Sequence, residues 1–299
     1  MCRTSPKTVR FGRDSAHPSD QVWNSGAFMN IKEKTQTLKE IIASKGSMLV
    51  SYSGGVDSAL LAVLATEVLG SNARCILLDS QVVPRAAIEE AQQIAQDYHL
   101  SLEIIPVPVM DDERFKKNPA ERCYWCKKNS AEVLKWQKEI LHFACIADGI
   151  NVSDKGEHRP GLVASTEEGI IHPFLEASIT KADIREIAQS FGLQFWNKPS
   201  AACLSSRIPY GDEITPHKLS MIEEAEAFLH LNGFSQCRVR MHGSIARLEI
   251  TNDDLPELLS IRDCLVKTFK SIGFTYVTLD LEGYRSGSMD EVLLNGEDE

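Results

Sequence analysis

Long apolar runs are missing from this chain. No stretch approaches the ~18 consecutive apolar residues that a membrane span needs, and the N-terminus carries no secretory apolar segment, so a cytosolic location is expected. Positive charge is also scarce, with 32 Lys and Arg against 42 Asp and Glu and a formal net charge of −10. Phosphate neutralisation needs clustered Lys and Arg, so this balance argues against a broad nucleic-acid surface; a small anion held by a few arginines stays compatible. Internal repeats and low-complexity tracts are absent. The eight cysteines do not read as a disulfide scaffold, because Cys75 and Cys145 fall inside apolar strand-like runs, and reduced thiols are expected. What is present, 299 residues with 43% hydrophobic, suffices for about two globular domains.

Residues 1–28 show neither helical nor strand period and read as a disordered extension. Their basic, acid-poor composition also suits an organelle transit peptide, although Asp14, Asp20 and two prolines spoil an amphipathic helix. From Ile31 the pattern predicts helices to Ile42, over Asp57–Leu69 and over Arg85–Tyr98, with strands at Met48–Tyr52, Arg74–Leu78 and Leu102–Val107. A helix from Cys126 to Leu141 and a strand Phe143–Ala147 follow. Such alternation implies right-handed βαβ units and a doubly wound α/β domain over 29–211, its parallel sheet covered on both faces. Thr180 can cap a further helix. Helix Pro216–Leu231, a hairpin over Cys237–Ile250, helix Leu255–Phe269 and strand Tyr276–Leu281 then predict a smaller α+β domain over 212–299.

Ser51-Tyr52-Ser53-Gly54-Gly55-Val56-Asp57-Ser58 stands at the carboxyl end of the first strand and opens a helix. Two glycines let the backbone approach a polyanion, free N–H groups at the helix start supply partial positive charge, and Ser53 and Ser58 add hydroxyl donors. Asp57 is suited to holding Mg²⁺ beside the phosphates. An ordinary Ser/Gly turn is the bland alternative. The conventional P-loop is excluded by the missing Gly-Lys-Ser/Thr ending. The segment resembles the PP-loop of ATP pyrophosphatases, which implies cleavage of ATP to AMP and pyrophosphate through an adenylate.

Further segments narrow the resemblance: Asn118-Pro119-x-x-Arg122-Cys123-x-x-Cys126-Lys127, Asp148-Gly149-x-Asn151-x-x-Asp154, Arg159-Pro160-Gly161, the run Pro199 to Gly211 around Cys203, and Gly283-Tyr284-Arg285-Ser286-Gly287-Ser288. Together they are similar to the LarE family of pyridinium-3,5-biscarboxylic acid mononucleotide sulfurtransferases, which serve nickel-pincer cofactor assembly, over about residues 31–292. Ile150 departs from the small hydroxyl residue usual there. The resemblance implies that ATP adenylates a substrate carboxylate and that a sulfur nucleophile displaces AMP, leaving a thiocarboxylate. It implies ATP contacts at Ser51, Gly54, Gly55, Asp57 and Ser58, a sulfide donor, and a homo-oligomer, a hexamer in relatives.

Cys203 is the expected centre of sulfur chemistry. A free thiol titrates near about 8.5, so it needs cationic neighbours, for which Lys198 and Arg207 are close in sequence. In one branch of the family the matching cysteine surrenders its own sulfur and becomes dehydroalanine. Other relatives resemble holders of a [4Fe-4S] cluster on three thiolates, an option open here through Cys123, Cys126 and Cys203. Zinc or a redox pair is the remaining alternative, although no second Cys-x-x-Cys exists to complete a zinc site.

Arg238 and Arg240 share a strand face by period-2 geometry and, with Ser206 and Arg207, form a candidate site for the substrate phosphate. A solvated edge-strand pair is the bland reading, and Arg285 and Ser286 are weaker candidates. Glu226 and Glu249 read equally as metal or intersubunit contacts and as solvated surface. Trp125 reads as packing before pyridinium stacking, and His172 as a loop residue before a general base. Rival functions are a PP-loop tRNA thiolase, an amide-forming NAD or GMP synthetase with no use for Cys203, and a non-catalytic nucleotide-binding or iron–sulfur scaffold.

Overall fold

Helix and strand alternate through the first half of the chain in the computed structural model, which describes residues 30–156, 160–199 and 202–294. The extension expected over 1–28 and the motif residues Arg159, Ser200 and Ala201 lie outside the described residues. In order come α1 (Ile31–Ser44), β1 (Met48–Tyr52), α2 (Val56–Leu69), β2 (Ala73–Asp79), α3 (Arg85–Asp97), β3 (Leu102–Pro106), α4 (Glu113–Lys116), α5 (Arg122–Leu141) and β4 (Cys145–Ala147). Helices α6 (Pro160–Glu167), α7 (Pro173–Glu176) and α8 (Lys181–Ser190) follow. The remainder comprises α9 (Pro216–Leu231), β5 (Cys237–His242), β6 (Ile245–Ile250), α10 (Leu255–Ser260), α11 (Arg262–Ile272), β7 (Tyr276–Leu279) and α12 (Glu291–Leu294).

The first sheet is parallel throughout, in the order β3-β2-β1-β4. β1 reads as a nearly continuous apolar run because it is central and covered on both faces. α2 is buried almost all round, wedged between β1 and β2 on one side and α1 and α8 on the other. From β1 the chain winds outward through β2 and β3, then returns to add β4 on the opposite side of β1. The topological switch therefore lies between β1 and β4, and their carboxyl ends splay to form a crevice where such sheets bind ligands.

The second sheet pairs β5 and β6 antiparallel and adds β7 parallel to β6. Its core, with Leu219, Ile222, Val239, Leu248 and Phe269, also takes in Val82, Val107, Val109 and Phe115 from the first half. That shared core brings the loops of both layers together.

Three elements differ from the sequence pattern. α5 begins at Arg122, before the expected Cys126, because Asn118 takes a left-handed conformation (φ 52°) while its amide donates to the carbonyls of Ile208 and Pro209 at 3.2 and 2.7 Å. A contact 90 residues distant thus sets the helix start. The helix expected over Leu255–Phe269 is broken at Ile261, whose N–H turns to the Leu258 carbonyl at 3.3 Å. β7 stops at Leu279, and Leu281 is left exposed. Among the described residues no helix is long and apolar enough to cross a membrane.

Candidate active site

The loop between β1 and α2 is shaped by a position only glycine fits. Gly54 has φ +69°, and a Cβ there would stand 2.5 Å from the Ala91 Cβ on α3. Gly55 caps α2 without a side-chain bond, so the first N–H groups of a 14-residue helix keep their capacity for an anion. The Ser53 N–H donates to Ser58 Oγ at 3.1 Å, and the two hydroxyls lie 3.0 Å apart. From β4 comes Gly149, where a Cβ would reach 2.9 Å from the Ser58 nitrogen. The result is a cleft of about 300 Å³ between the two strand ends.

Three lysines, Lys127, Lys181 and Lys198, line that cleft in a chain otherwise acidic. Lys181 is ion-paired with Asp57. Burial raises the Asp57 pKa above the ordinary carboxylate value, and Lys181 pulls against that rise. Lys198 donates to the Gly54 carbonyl at 3.0 Å and pairs with Glu90 at 2.9 Å. Lys181 carries no recognised motif in the sequence, but one signal was available. A cation at the first position of a capped helix opposes the helix dipole, so α8 bears a local cost that asks for a reason.

Asp148, at the end of β4, is buried and accepts from Ser165 Oγ at 2.7 Å and from the Ile150 N–H at 3.2 Å. His172 Nδ1 stands 2.7 Å from the same carboxylate, and Lys127 Nζ 3.6 Å. Burial pushes the Asp148 carboxyl up, but the His172 hydrogen bond and the Lys127 charge outweigh it and hold the pKa below the usual value. His172 is therefore the orienting partner of Asp148, a role the sequence did not reveal.

Cys123 and Cys126 stand in the first turns of α5, three residues apart and so on adjoining faces. Cys203 opens the turn Leu204–Arg207, which is pinned where the Leu204 N–H donates to the Val82 carbonyl at 2.7 Å. Both α5 cysteines lie within electrostatic reach of Cys203. Burial pushes the Cys126 thiol up to about 12 and raises Cys123 as well. The described cysteines are all free thiols. Among the described residues no group of three or more His, Cys, Asp or Glu is arranged to hold a metal ion. A cubane cluster spreads its three cysteine sulfurs wider than a single ion does, so convergent thiols without a fourth ligand suit such a cluster and not zinc.

The four candidate phosphate residues are neighbours, with unequal roles. Arg207 is buried, makes a two-pronged pair with Glu226 at 2.9 and 3.0 Å, and spends its remaining nitrogen on the Ala202 and Cys203 carbonyls and Ser206 Oγ. Arg240 donates to Glu249 at 2.8 Å, to Ser288 Oγ and to the Ser206 carbonyl. Arg238 instead has no carboxylate partner among the described residues. Its guanidinium lies 5.3 Å from the Tyr284 ring centroid, and burial together with the Arg207 charge lowers its pKa. Glu226 and Glu249 are buried ion-pair members, not solvated surface. Trp125 packs under the Arg114 guanidinium at 4.1 Å, in keeping with the packing reading.

The NAD synthase family model matches residues 30–129, the segment that carries the phosphate loop. An uncharacterised protein of Synechocystis is 38% identical over 88% of this chain and 99% of its own length. Pyridinium-3,5-bisthiocarboxylic acid mononucleotide synthase of Lactiplantibacillus plantarum is 33% identical over 87% of this chain and 95% of its own. A glutamine-hydrolysing GMP synthase of Thermoplasma acidophilum reaches 25% over 60% of this chain and 62% of its own length. The phosphate loop alone is common to all of these, but only the first two alignments continue through the Cys203 turn and the second sheet at such coverage, and on that ground the chain belongs to the LarE family.

Proposed function

We propose that this protein is an ATP-dependent sulfurtransferase that adenylates the carboxylates of pyridinium-3,5-biscarboxylic acid mononucleotide and converts them to thiocarboxylates. One observation carries the reading. Lys198 grips the Gly54 carbonyl of the phosphate loop, and Cys203 follows five residues later, so the sulfur-bearing turn is tethered to the nucleotide cleft.

A carboxylate is a poor electrophile, since its charge repels nucleophiles and oxide is a bad leaving group. Its attack on the α-phosphorus of ATP forms an acyl-adenylate and releases pyrophosphate, which removes both faults. The uncapped start of α2, Ser53 and Ser58 bind the polyphosphate, Lys127 and Lys181 balance its charge, and Asp57 turns from Lys181 to Mg²⁺ as the nucleotide enters. Ser51, Gly54 and Gly55 shape the cradle. Arg238 binds the substrate phosphate, while Arg207 and Arg240, held by Glu226 and Glu249, fix Ser206 and add positive field. Sulfur then attacks the acyl carbon, AMP departs, and a thiocarboxylate remains. Cys123, Cys126 and Cys203 would hold a [4Fe-4S] cluster, which when bound supplies an open iron for hydrosulfide. The convergence of the three thiols favours this over sacrifice of the Cys203 sulfur.

The test combines ATP, Mg²⁺, sulfide and the dicarboxylate mononucleotide with anaerobically purified protein. Pyrophosphate release and thiocarboxylate formation are followed together, with iron, labile sulfide and intact mass. Cys203→Ala is expected to release pyrophosphate yet form no thiocarboxylate. An unchanged product in that variant, or pyrophosphate release driven by ammonia or tRNA, would overturn the proposal. Loss of one H₂S from iron-free protein would transfer the sulfur step to the Cys203 side chain itself.

A further inference from the structure

Arg122 is only 4% exposed, yet no described carboxylate pairs with it. Its Nη1 donates to Asn118 Oδ1 at 3.1 Å, its plane lies 4.2 Å from the Tyr210 ring centroid, and its Nε has no partner. The nearby carboxylate of Asp290 is occupied by the Tyr210 hydroxyl, which donates to it at 2.7 Å. A buried guanidinium without a counter-ion is costly, and the usual relief is an arriving anion. The residue opens α5, whose cap Glu121 makes no side-chain bond, so the positive end of a 20-residue helix adds to the same field. Cys123 follows directly, and Tyr210 has both Arg122 and the Cys123 thiol in its surroundings.

Resting on the functional reading above, charge matching suggests the occupant. The substrate carries a phosphate and two ring carboxylates, and adenylation neutralises one carboxylate. Two anionic groups remain, and two guanidinium groups at the site lack carboxylate partners, Arg238 beside the phosphate turn and Arg122 beside the sulfur. We infer that Arg122 binds the spectator carboxylate, the acid group of the pyridinium ring that is not reacting, and so selects dicarboxylates over monocarboxylates. The two acid groups sit meta on one ring, which keeps the spectator within a few ångströms of the reacting carbon. After the first transfer the ring can turn over, so that the new thiocarboxylate, also an anion, takes the place at Arg122 while the second acid reacts.

The experiment is calorimetric binding of the 3,5-dicarboxylate mononucleotide and of the 3-monocarboxylate mononucleotide, without ATP, to wild type, Arg122→Gln and Arg122→Lys. Wild type is expected to favour the dicarboxylate by on the order of 10²-fold. Arg122→Gln should lose most of that preference through weaker dicarboxylate binding, with monocarboxylate affinity changed less than about threefold, and Arg122→Lys should retain part of it. Equal weakening for both ligands in the lysine variant, or an undiminished preference in either variant, overturns the inference and marks Arg122 as a scaffold residue. Pyrophosphate release by wild type is measured in parallel. Its absence with both ligands refutes the proposed function, whereas turnover with an unaltered preference refutes only the role given to Arg122.

Discussion

Substitution of Glu226 by Gln probes the link between the second core and the sulfur turn. The Arg207–Glu226 pair is buried, and Glu226 Oε1 also accepts the Val239 N–H at 3.0 Å, so the carboxylate serves both a charge and a strand. Glutamine preserves the shape and leaves the guanidinium charge without its counter-ion. Breaking one side of such a pair costs about 3–5 kcal/mol. At roughly 2–4 °C per kcal/mol for a chain of this size, the thermal midpoint should fall by about 6–20 °C. The same Arg207 holds the Ala202 and Cys203 carbonyls at 2.9 Å, so thiocarboxylate formation should fall further than pyrophosphate release. The double variant Arg207→Met, Glu226→Leu removes both charges and should regain most of the stability. It should not regain sulfur transfer, because nothing then holds the two carbonyls. A shift below about 2 °C for Glu226→Gln would refute this reasoning by placing the pair among weak surface pairs, and so would recovery of sulfur transfer in the double variant.

Gly54→Ala should lower stability by about 2–4 kcal/mol, from left-handed strain plus overpacking against Ala91, and should abolish pyrophosphate release, as read by chemical denaturation and a coupled assay. Lys181→Met frees Asp57 from its partner and removes a cation from the cleft, so the KM for ATP should rise on the order of tenfold while the KM for the mononucleotide stays constant. Asp148 has a folded pKa below the reference 3.8, so its stabilisation is complete above that value and is lost as pH falls through the folded pKa. Asp148→Asn should therefore reduce stability at neutral pH and flatten the acid limb below about pH 4, measured by urea unfolding across pH.

The phosphate loop was legible from local chemistry because its requirements are local. Paired glycines, flanking serines and a helix start are consecutive in the chain, and β1 places them at the sheet's carboxyl edge. The start of α5 was less legible, since Asn118 is fixed by carbonyls of residues 208 and 209. Lys181 and His172 were not legible as site residues, because their partners Asp57 and Asp148 lie 124 and 24 residues away in sequence.

Residue types and spacings alone therefore determined the alternation that makes a parallel sheet, the cradle for a polyanion, and the three cysteines with chemistry to offer. Tertiary structure decided which charges are already neutralised. Arg207, Arg238 and Arg240 look alike along the chain, and only burial against Glu226 and Glu249 separates two framework cations from the one left for a ligand. The physical reason is that a guanidinium's availability depends on the counter-charges folded around it, and those come from strands and helices that sequence distance does not order.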